Sequence, residues 1–160
     1  MKVAIVMGSI SDKKIAMDAK EVLDNFDIEN ELRVISAHRT PKIAFDFAEK
    51  LEENGFDLVI AIAGKAAHLA GVLASITILP VIGVPAKSST LDGLDSLLST
   101  VQMPKGVPVA TVAIDGGYNA GILAVEILSI GNISLREKLK AHKERIESET
   151  IKNDKEFREN

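Results

Sequence analysis

The sequence predicts an α/β protein in which helices cover both faces of a parallel sheet. Five short apolar runs alternate with helical patterns along the chain, which is the order expected of βαβ units. Most of these runs are unbroken rather than alternating, as in strands that are buried on both faces. Because such units join through right-handed crossovers, we expect a three-layer, doubly wound, flavodoxin-like sheet of five parallel strands with an extra C-terminal helix.

The strands are predicted from the apolar runs. They cover residues 3–7, 31–35, 58–63, 81–84 and 109–114.

The helices are predicted from apolar residues at helical spacing and from their end signals. The first begins after an N-cap at Ser11 or Asp12, and the second opens with Pro41 and stops at Gly55. Proline suits a first helical turn, and glycine suits the residue beyond a helix end. The predicted helices cover residues 15–26, 41–54, 67–76, 91–101 and 118–130.

The composition changes near residue 132, where a charge-rich segment begins. It has only a thin apolar stripe, so it predicts a helical tail over residues 132–160, frayed toward its end. We expect a single domain over 1–160, with an α/β core over 1–131. The third helix is apolar on nearly every side, which favours packing against other subunits and hence a homo-oligomer.

Charge and composition exclude several classes of function. The formal net charge is −4, without the basic surplus typical of proteins that bind nucleic acid or anionic membranes. Cysteine is absent, which excludes a thiol nucleophile or a thiolate metal site. There is no run long enough to cross a bilayer and no signal-peptide pattern before the first strand, so we expect a cytoplasmic protein.

Three polar clusters follow predicted strand ends, where open α/β folds bind their ligands. The first contains Ser9, Ser11 and Asp12 at a helix start, where hydroxyls and free N–H groups suit a phosphate or sugar. It is neither a P-loop nor a dinucleotide-binding turn, and a plain helix cap explains it equally well.

The second and third clusters contain a cation and two histidines. Arg39 can grip a phosphate through two parallel hydrogen bonds. His68 has small apolar neighbours, so its imidazole needs a partner from elsewhere, and histidine can transfer protons near neutral pH. Two histidines without an acidic pair predict no metal site. A non-catalytic flavodoxin-like nucleotide-binding module remains the alternative to an enzyme.

A string of motifs over residues 3–130 resembles the class I N5-carboxyaminoimidazole ribonucleotide mutases of the aminoimidazole ribonucleotide carboxylase family. Those that carry the resemblance are Met7-Gly8-Ser9-Ile10-Ser11-Asp12, Ser36-Ala37-His38-Arg39-Thr40-Pro41, Ala66-Ala67-His68-Leu69, Leu91-Asp92-Gly93-Leu94-Asp95-Ser96-Leu97 and Val101-Gln102-Met103-Pro104.

The resemblance implies an isomerase of purine biosynthesis that moves a carboxylate from the exocyclic amine to ring carbon 4 by decarboxylation, trapping of carbon dioxide and recarboxylation. It implies no cofactor, and a homo-octamer with sites at subunit junctions. His68 matches the proton-transfer histidine, and His38 is counted with it as catalytic. The positions that match substrate-binding residues are Ser9, Ser11, Asp12, Ser36, Ala37, Arg39, Ala63, Gly64, Ala66 and Leu69.

Two residues depart from the family pattern beside His68. Lys65 replaces a glycine and Ala70 replaces a proline. Lys65, which we count with the substrate-binding residues, acts on the neighbouring His68 through its charge, contacts the substrate carboxylate, or crowds the pocket if that glycine needs a positive φ. Direct carboxylation of aminoimidazole ribonucleotide by carbon dioxide is therefore kept as an alternative reaction.

Overall fold

A computed structural model describes residues 1–159 of the protein. All strand pairings in it are parallel, and the strand order is β2-β1-β3-β4-β5. This order is that of flavodoxin-like folds, with the switch point between β1 and β3, and the predicted fold class is confirmed. The strands are β1 (Lys2–Met7), β2 (Glu29–Val34), β3 (Leu58–Gly64), β4 (Val81–Ala86) and β5 (Ala110–Thr111).

The three central strands form the core of the sheet. Residues 3–7 of β1, 58–62 of β3 and all of β4 are buried, because helices shield both faces of a doubly wound sheet. β2 lies at one edge and carries polar residues that are partly exposed. The unbroken apolar runs therefore mark the central strands, as the sequence predicts.

The fifth strand is much shorter than predicted, because Pro85 limits its pairing. β4 and β5 pair at Ile82↔Ala110 and Gly83↔Thr111, and the Val112 N–H still donates to the Gly83 carbonyl. The next bond on this side of β4 would need an N–H from Pro85, which proline does not have. The prediction of a strand over 109–114 is wrong beyond its second and third residues.

Six helices follow the predicted order. They are α1 (Lys13–Asn25), α2 (Pro41–Glu49), α3 (Leu69–Ala74), α4 (Leu94–Val101), α5 (Gly117–Leu128) and α6 (Ile133–Glu159). Pro41 is the first residue of α2, as predicted. The helix ends at Glu49, and turns carry the chain to Gly55, which has φ of +74°.

Two helices begin later than predicted, because left-handed residues precede them. Lys65 has φ of +58°, and two tight turns follow it before α3 begins at Leu69. Asp92 and Gly93 have φ of 51° and 96°, which separates a short 3-10 turn over Leu91–Gly93 from α4. A right-handed helix cannot continue through such residues.

The backbones of α1 and α5 approach each other closely at Gly121. A Cβ atom on Gly121 would lie 2.7 Å from the Cβ of Val22 and 3.0 Å from the carbonyl oxygen of Ala19. Only glycine allows this separation, so a missing side chain sets how near the two helices lie.

The structure divides into two compact units, residues 1–124 and residues from 125 onward. The second contains α6, which stays helical to Glu159, so the prediction of a frayed tail is wrong. Pairs of opposite charge one turn apart, such as Arg145 with Glu149 and Arg158 with Asp154, support such a helix along its surface. In the described part of the chain, no helix is long and apolar enough to cross a membrane.

Candidate active site

A cavity of about 590 Å³ opens at the carboxyl edge of the sheet, a volume in the usual range for small-ligand sites. Its walls come from the loops that follow β1, β2, β3 and β4, so it spans the switch point where such folds bind ligands. The lining residues are Gly8, Ser9, Ser11, Asp12, Ser36, Ala37, His38, Arg39, Ala63, Gly64, Lys65, Ala66, Leu69, Lys87, Ser88 and Ser89.

The loop after β1 supplies hydroxyls and one carboxylate. The Ser9 Oγ accepts a hydrogen bond from the Ser11 N–H at 3.3 Å, and the Ser11 Oγ donates to the Asp12 carboxylate at 3.0 Å. Asp12 is the N-cap residue of α1, but its side chain makes no capping bond. Burial raises the pKa of the Asp12 carboxyl, with a smaller contribution from the charge of Asp115, and hydrogen bonds from Ser11 and Ser9 oppose the shift.

The loop after β2 is a turn held by its own hydrogen bonds. The Thr40 Oγ1 accepts from the Ser36 N–H at 3.0 Å and donates to the Ser36 carbonyl at 2.9 Å. The Ser36 Oγ accepts from the Arg39 N–H at 3.1 Å. These bonds fix the backbone on both sides of His38 and Arg39, so Thr40 has a structural role that its sequence position did not reveal.

Arg39 connects this turn to the neighbouring loop. Its Nη2 donates to the Gly8 carbonyl at 2.7 Å, and its Nε donates to the Ser36 Oγ at 3.3 Å. Among residues 1–159, Arg39 forms no ion pair with a carboxylate within 4.0 Å. A guanidinium has five N–H donors, so most of them remain available to an anion in the cavity.

The two histidines form a pair. The His38 Nε2 lies 3.0 Å from the His68 Nδ1, and the rings meet edge to face. A hydrogen bond at this distance holds one proton between the two nitrogens. His38 lines the cavity, whereas His68 does not and is the exposed hydrogen-bond partner of His38.

The loop after β3 takes a tight path. The N–H groups of Ala67 and His68 each donate to the carbonyl two residues earlier, at 2.8 Å. The loop begins at Lys65, whose φ of +58° is left-handed. The position that is usually glycine in the resembling family does take a positive φ, and here a lysine occupies it.

A fourth loop, over residues 87–89, was missed by the sequence interpretation. The Ser88 Oγ lies 3.0 Å from both carboxylate oxygens of Asp95, and the Lys87 N–H donates to Asp115 at 2.7 Å. The Lys87 Nζ lies 3.3 Å from the Asp92 carboxylate. The sequence does indicate this loop, because the polar segment over residues 87–89 follows the fourth strand at the same sheet edge as the other three loops.

The cavity therefore combines a cationic lining with a histidine pair. Three cations and a single carboxylate line its wall, which suits an anionic ligand. Within residues 1–159, no three His, Cys, Asp or Glu side chains are placed to hold a metal ion. All of the predicted substrate-binding residues lie on this wall, together with His38.

A cavity at the switch point of a flavodoxin-like sheet, with groups for proton transfer, is typical of α/β proteins that act on small molecules. Comparison with known proteins identifies the family. Residues 2–149 match the model of the AIR carboxylase family, and the chain belongs to that family.

Two relatives with closely similar sequences carry the same name, and a third, 51% identical over 139 residues that cover 87% of this chain and 25% of the relative, is the chloroplastic phosphoribosylaminoimidazole carboxylase of Vigna aconitifolia. The N5-carboxyaminoimidazole ribonucleotide mutase of Pyrococcus abyssi is 57% identical over 143 residues, which cover 89% of this chain and 82% of the relative. The protein of the same name from Thermotoga maritima is 55% identical over 150 residues, covering 94% and 88%. The crystal structure of Treponema denticola PurE superposes with a TM-score of 0.86 at 29% identity and covers 97% of each chain.

Proposed function

We propose that this protein is an isomerase that converts N5-carboxyaminoimidazole ribonucleotide to 4-carboxy-5-aminoimidazole ribonucleotide in purine biosynthesis. The observation that carries the proposal is the cavity itself, where Arg39 and Lys65, which pair with no carboxylate of residues 1–159, share the wall with His38 of the histidine pair. The relatives from Pyrococcus abyssi and Thermotoga maritima, both more than half identical to this chain, are named for this reaction and support the proposal.

The phosphate of the substrate binds at the loops that follow β1 and β2. Ser9, Ser11 and Arg39 supply hydroxyl and guanidinium donors there, and charge-assisted bonds of this kind are the strong ones. Asp12 lies beside them as an acceptor for the ribose hydroxyls.

The aminoimidazole ring lies over the small residues of the neighbouring loops. These wall residues are Ser36, Ala37, Ala63, Gly64, Ala66 and Leu69. Their small and largely apolar surfaces suit the temporary retention of carbon dioxide, because a water-poor pocket limits hydration and escape of the gas.

The reaction needs one proton to leave the enzyme and one to return. When the bond from nitrogen to the carboxyl carbon breaks, the electron pair stays on the nitrogen, which takes a proton and releases carbon dioxide. Ring carbon 4 then attacks the carbon dioxide and forms the new carbon–carbon bond, and the loss of the proton on carbon 4 restores the aromatic ring. The numbers of protons balance, so one acid–base group serves both steps.

We assign the direct transfer to His38, because His38 lines the cavity and His68 does not. The Nε2 of His38 is engaged with His68, which leaves its Nδ1 for the substrate. His68 holds the His38 ring in place and supplies the partner for its second nitrogen, as orienting groups do for catalytic histidines. His68 thus takes part in the transfer through His38.

We also propose that the protein is an oligomer in the cytoplasm. Leu94, Leu98 and Val101 expose one apolar face of α4, at the helical spacing of a packing surface. We propose a homo-octamer in which such faces are covered by other subunits.

The test uses purified protein without ATP in two mixtures. One contains N5-carboxyaminoimidazole ribonucleotide, and the other contains aminoimidazole ribonucleotide with a high concentration of bicarbonate. We expect rapid formation of the carbon-4 carboxylate in the first mixture. Conversion in the second mixture alone would replace the proposal with direct carboxylation, and no conversion in either would leave a binding module.

A further inference from the structure

The cavity has a cation on each side of the switch point between β1 and β3. Arg39 lies on the β1 side, where its guanidinium contacts the carbonyl of Gly8. Lys65 follows β3 directly and lines the opposite wall. The single carboxylate of the lining, Asp12, belongs to the Arg39 side, so it leaves the charge of Lys65 uncompensated.

Lys65 differs from the other lysine of the wall in its pairing. The Lys87 Nζ lies 3.3 Å from the Asp92 carboxylate. Lys65 is exposed and forms no ion pair within 4.0 Å with any carboxylate of residues 1–159. Its ammonium group is therefore free to meet an anion in the cavity.

The backbone of Lys65 is held in an unfavourable conformation. Its φ of +58° lies in the left-handed region, which is sterically unfavourable for a residue with a Cβ atom. Glycine or asparagine takes this conformation more easily. Strain of this kind persists at binding and catalytic sites, and at this position it directs a long cationic side chain to the cavity wall.

We infer that Lys65 forms a second anion subsite, separate from that of Arg39, which binds the carboxylate of the ligand. The inference rests on the proposed function, since a carboxylated ribonucleotide carries an anion at each end. Arg39 then binds the phosphate, and Lys65 distinguishes ligands with a carboxylate from those without one. Lys65 is thus a specificity-determining residue of the site.

The test compares the binding of two ligands that share one phosphate. 4-Carboxy-5-aminoimidazole ribonucleotide carries the carboxylate, and aminoimidazole ribonucleotide lacks it. Lys65→Asn removes the charge and tolerates the left-handed backbone, whereas Lys65→Arg keeps the charge. Lys50→Asn is the matched control, because Lys50 is exposed, lies outside the cavity wall and likewise forms no ion pair among the described residues.

We expect Lys65→Asn to raise the Kd of the carboxylated ligand about tenfold, the loss of one hydrogen bond between charged groups. The Kd of the uncarboxylated ligand should change less than twofold, and Lys65→Arg should restore most of the difference. An equal loss for both ligands, or no loss for either, would overturn the subsite.

The same measurements separate this inference from the proposed function. Wild-type protein that binds both ligands and converts neither would overturn the function, while a selective effect of Lys65→Asn would still establish the subsite. Wild-type protein that binds neither ligand would overturn both.

Discussion

Replacing Arg39 with alanine should weaken substrate binding far more than it weakens the fold. The guanidinium uses two of its donors within the protein, toward the Gly8 carbonyl and the Ser36 Oγ. The remaining donors are available to the substrate phosphate. A hydrogen bond to a charged group contributes about 1.5–3 kcal/mol, so the loss of one or two such bonds should cost about 3 kcal/mol.

This energy corresponds to a rise of about 100-fold in KM, since each 1.4 kcal/mol changes an equilibrium constant tenfold. We expect kcat to change much less, because a phosphate remote from the reacting atoms is bound alike in the ground and transition states. Steady-state kinetics with N5-carboxyaminoimidazole ribonucleotide as the varied substrate measure both constants. The Ser36–Thr40 turn should persist, because its bonds come from backbone groups and Thr40.

Arg33→Ala is the matched control, because Arg33 lies on β2 and pairs with Glu31 at 3.3 Å outside the cavity. It should leave KM within twofold of the wild-type value. Arg39→Lys keeps the charge but loses the planar fork, so its KM should fall between those of the wild type and Arg39→Ala. An unchanged KM in Arg39→Ala, or a loss confined to kcat, would refute the assignment of the phosphate to Arg39.

Three further predictions follow from the site and the core. His68→Asn should lower kcat by about 10²–10⁴-fold, because His38 loses the imidazole that holds its ring and takes part in proton transfer through it, with an unchanged melting temperature in calorimetry; near-normal turnover would contradict its role. The folded-state pKa of Asp12 is raised, so the folded wild type binds the Asp12 proton more tightly than the unfolded chain and loses stability as the pH rises through that pKa. Asp12→Asn has no such proton, so its free energy of unfolding should increase relative to that of the wild type over the same pH range. Urea unfolding of both proteins from pH 3 to 7 measures the gap, and a gap that reverses would contradict the sign. Gly121→Ala should destabilise the fold by about 1–3 kcal/mol through overpacking against Val22, which outweighs the gain in helix propensity of about 1 kcal/mol. Gly131→Ala, where a new Cβ meets nothing within 4 Å, should change the free energy of unfolding by less than about 0.5 kcal/mol.

The fold was predictable because burial on both faces leaves a direct record in the sequence. The apolar runs of β1, β3 and β4 are unbroken, and residues 3–7, 58–62 and 81–86 are buried. The fifth strand was predicted too long because its length depends on Pro85 of the neighbouring strand. The starts of α3 and α4 were predicted too early for a related reason. The left-handed φ of Lys65 arises from tertiary context, and a lysine does not signal it. The left-handed φ of Asp92 falls in an Asp-Gly dipeptide, which is typical of turns, although the helical prediction over residues 91–101 ran through it.

The site was predictable to the extent that one rule places it. The carboxyl ends of parallel strands meet at one edge, so polar residues after β1, β2 and β3 had to converge. The same rule applied to Lys87, Ser88 and Ser89 after β4 would have found the fourth wall. It does not predict which histidine faces the ligand, because that depends on the tight turns over residues 65–68.

The charges of the cavity and of the whole chain have opposite signs, and this decides where binding energy comes from. A formal net charge of −4 gives no long-range attraction for an anionic nucleotide. Affinity must therefore come from contacts at hydrogen-bond distance, where Arg39 and Lys65 are unpaired by carboxylates. Leaving the two cations unpaired costs little free energy while they are exposed to water. Each forms an ion pair when a ligand with two anionic groups enters the cavity. Such a site discriminates between ligands by where they carry their charges. The strand order places Arg39 and Lys65 on either side of the switch point, and this sets the two positions at which an anion binds.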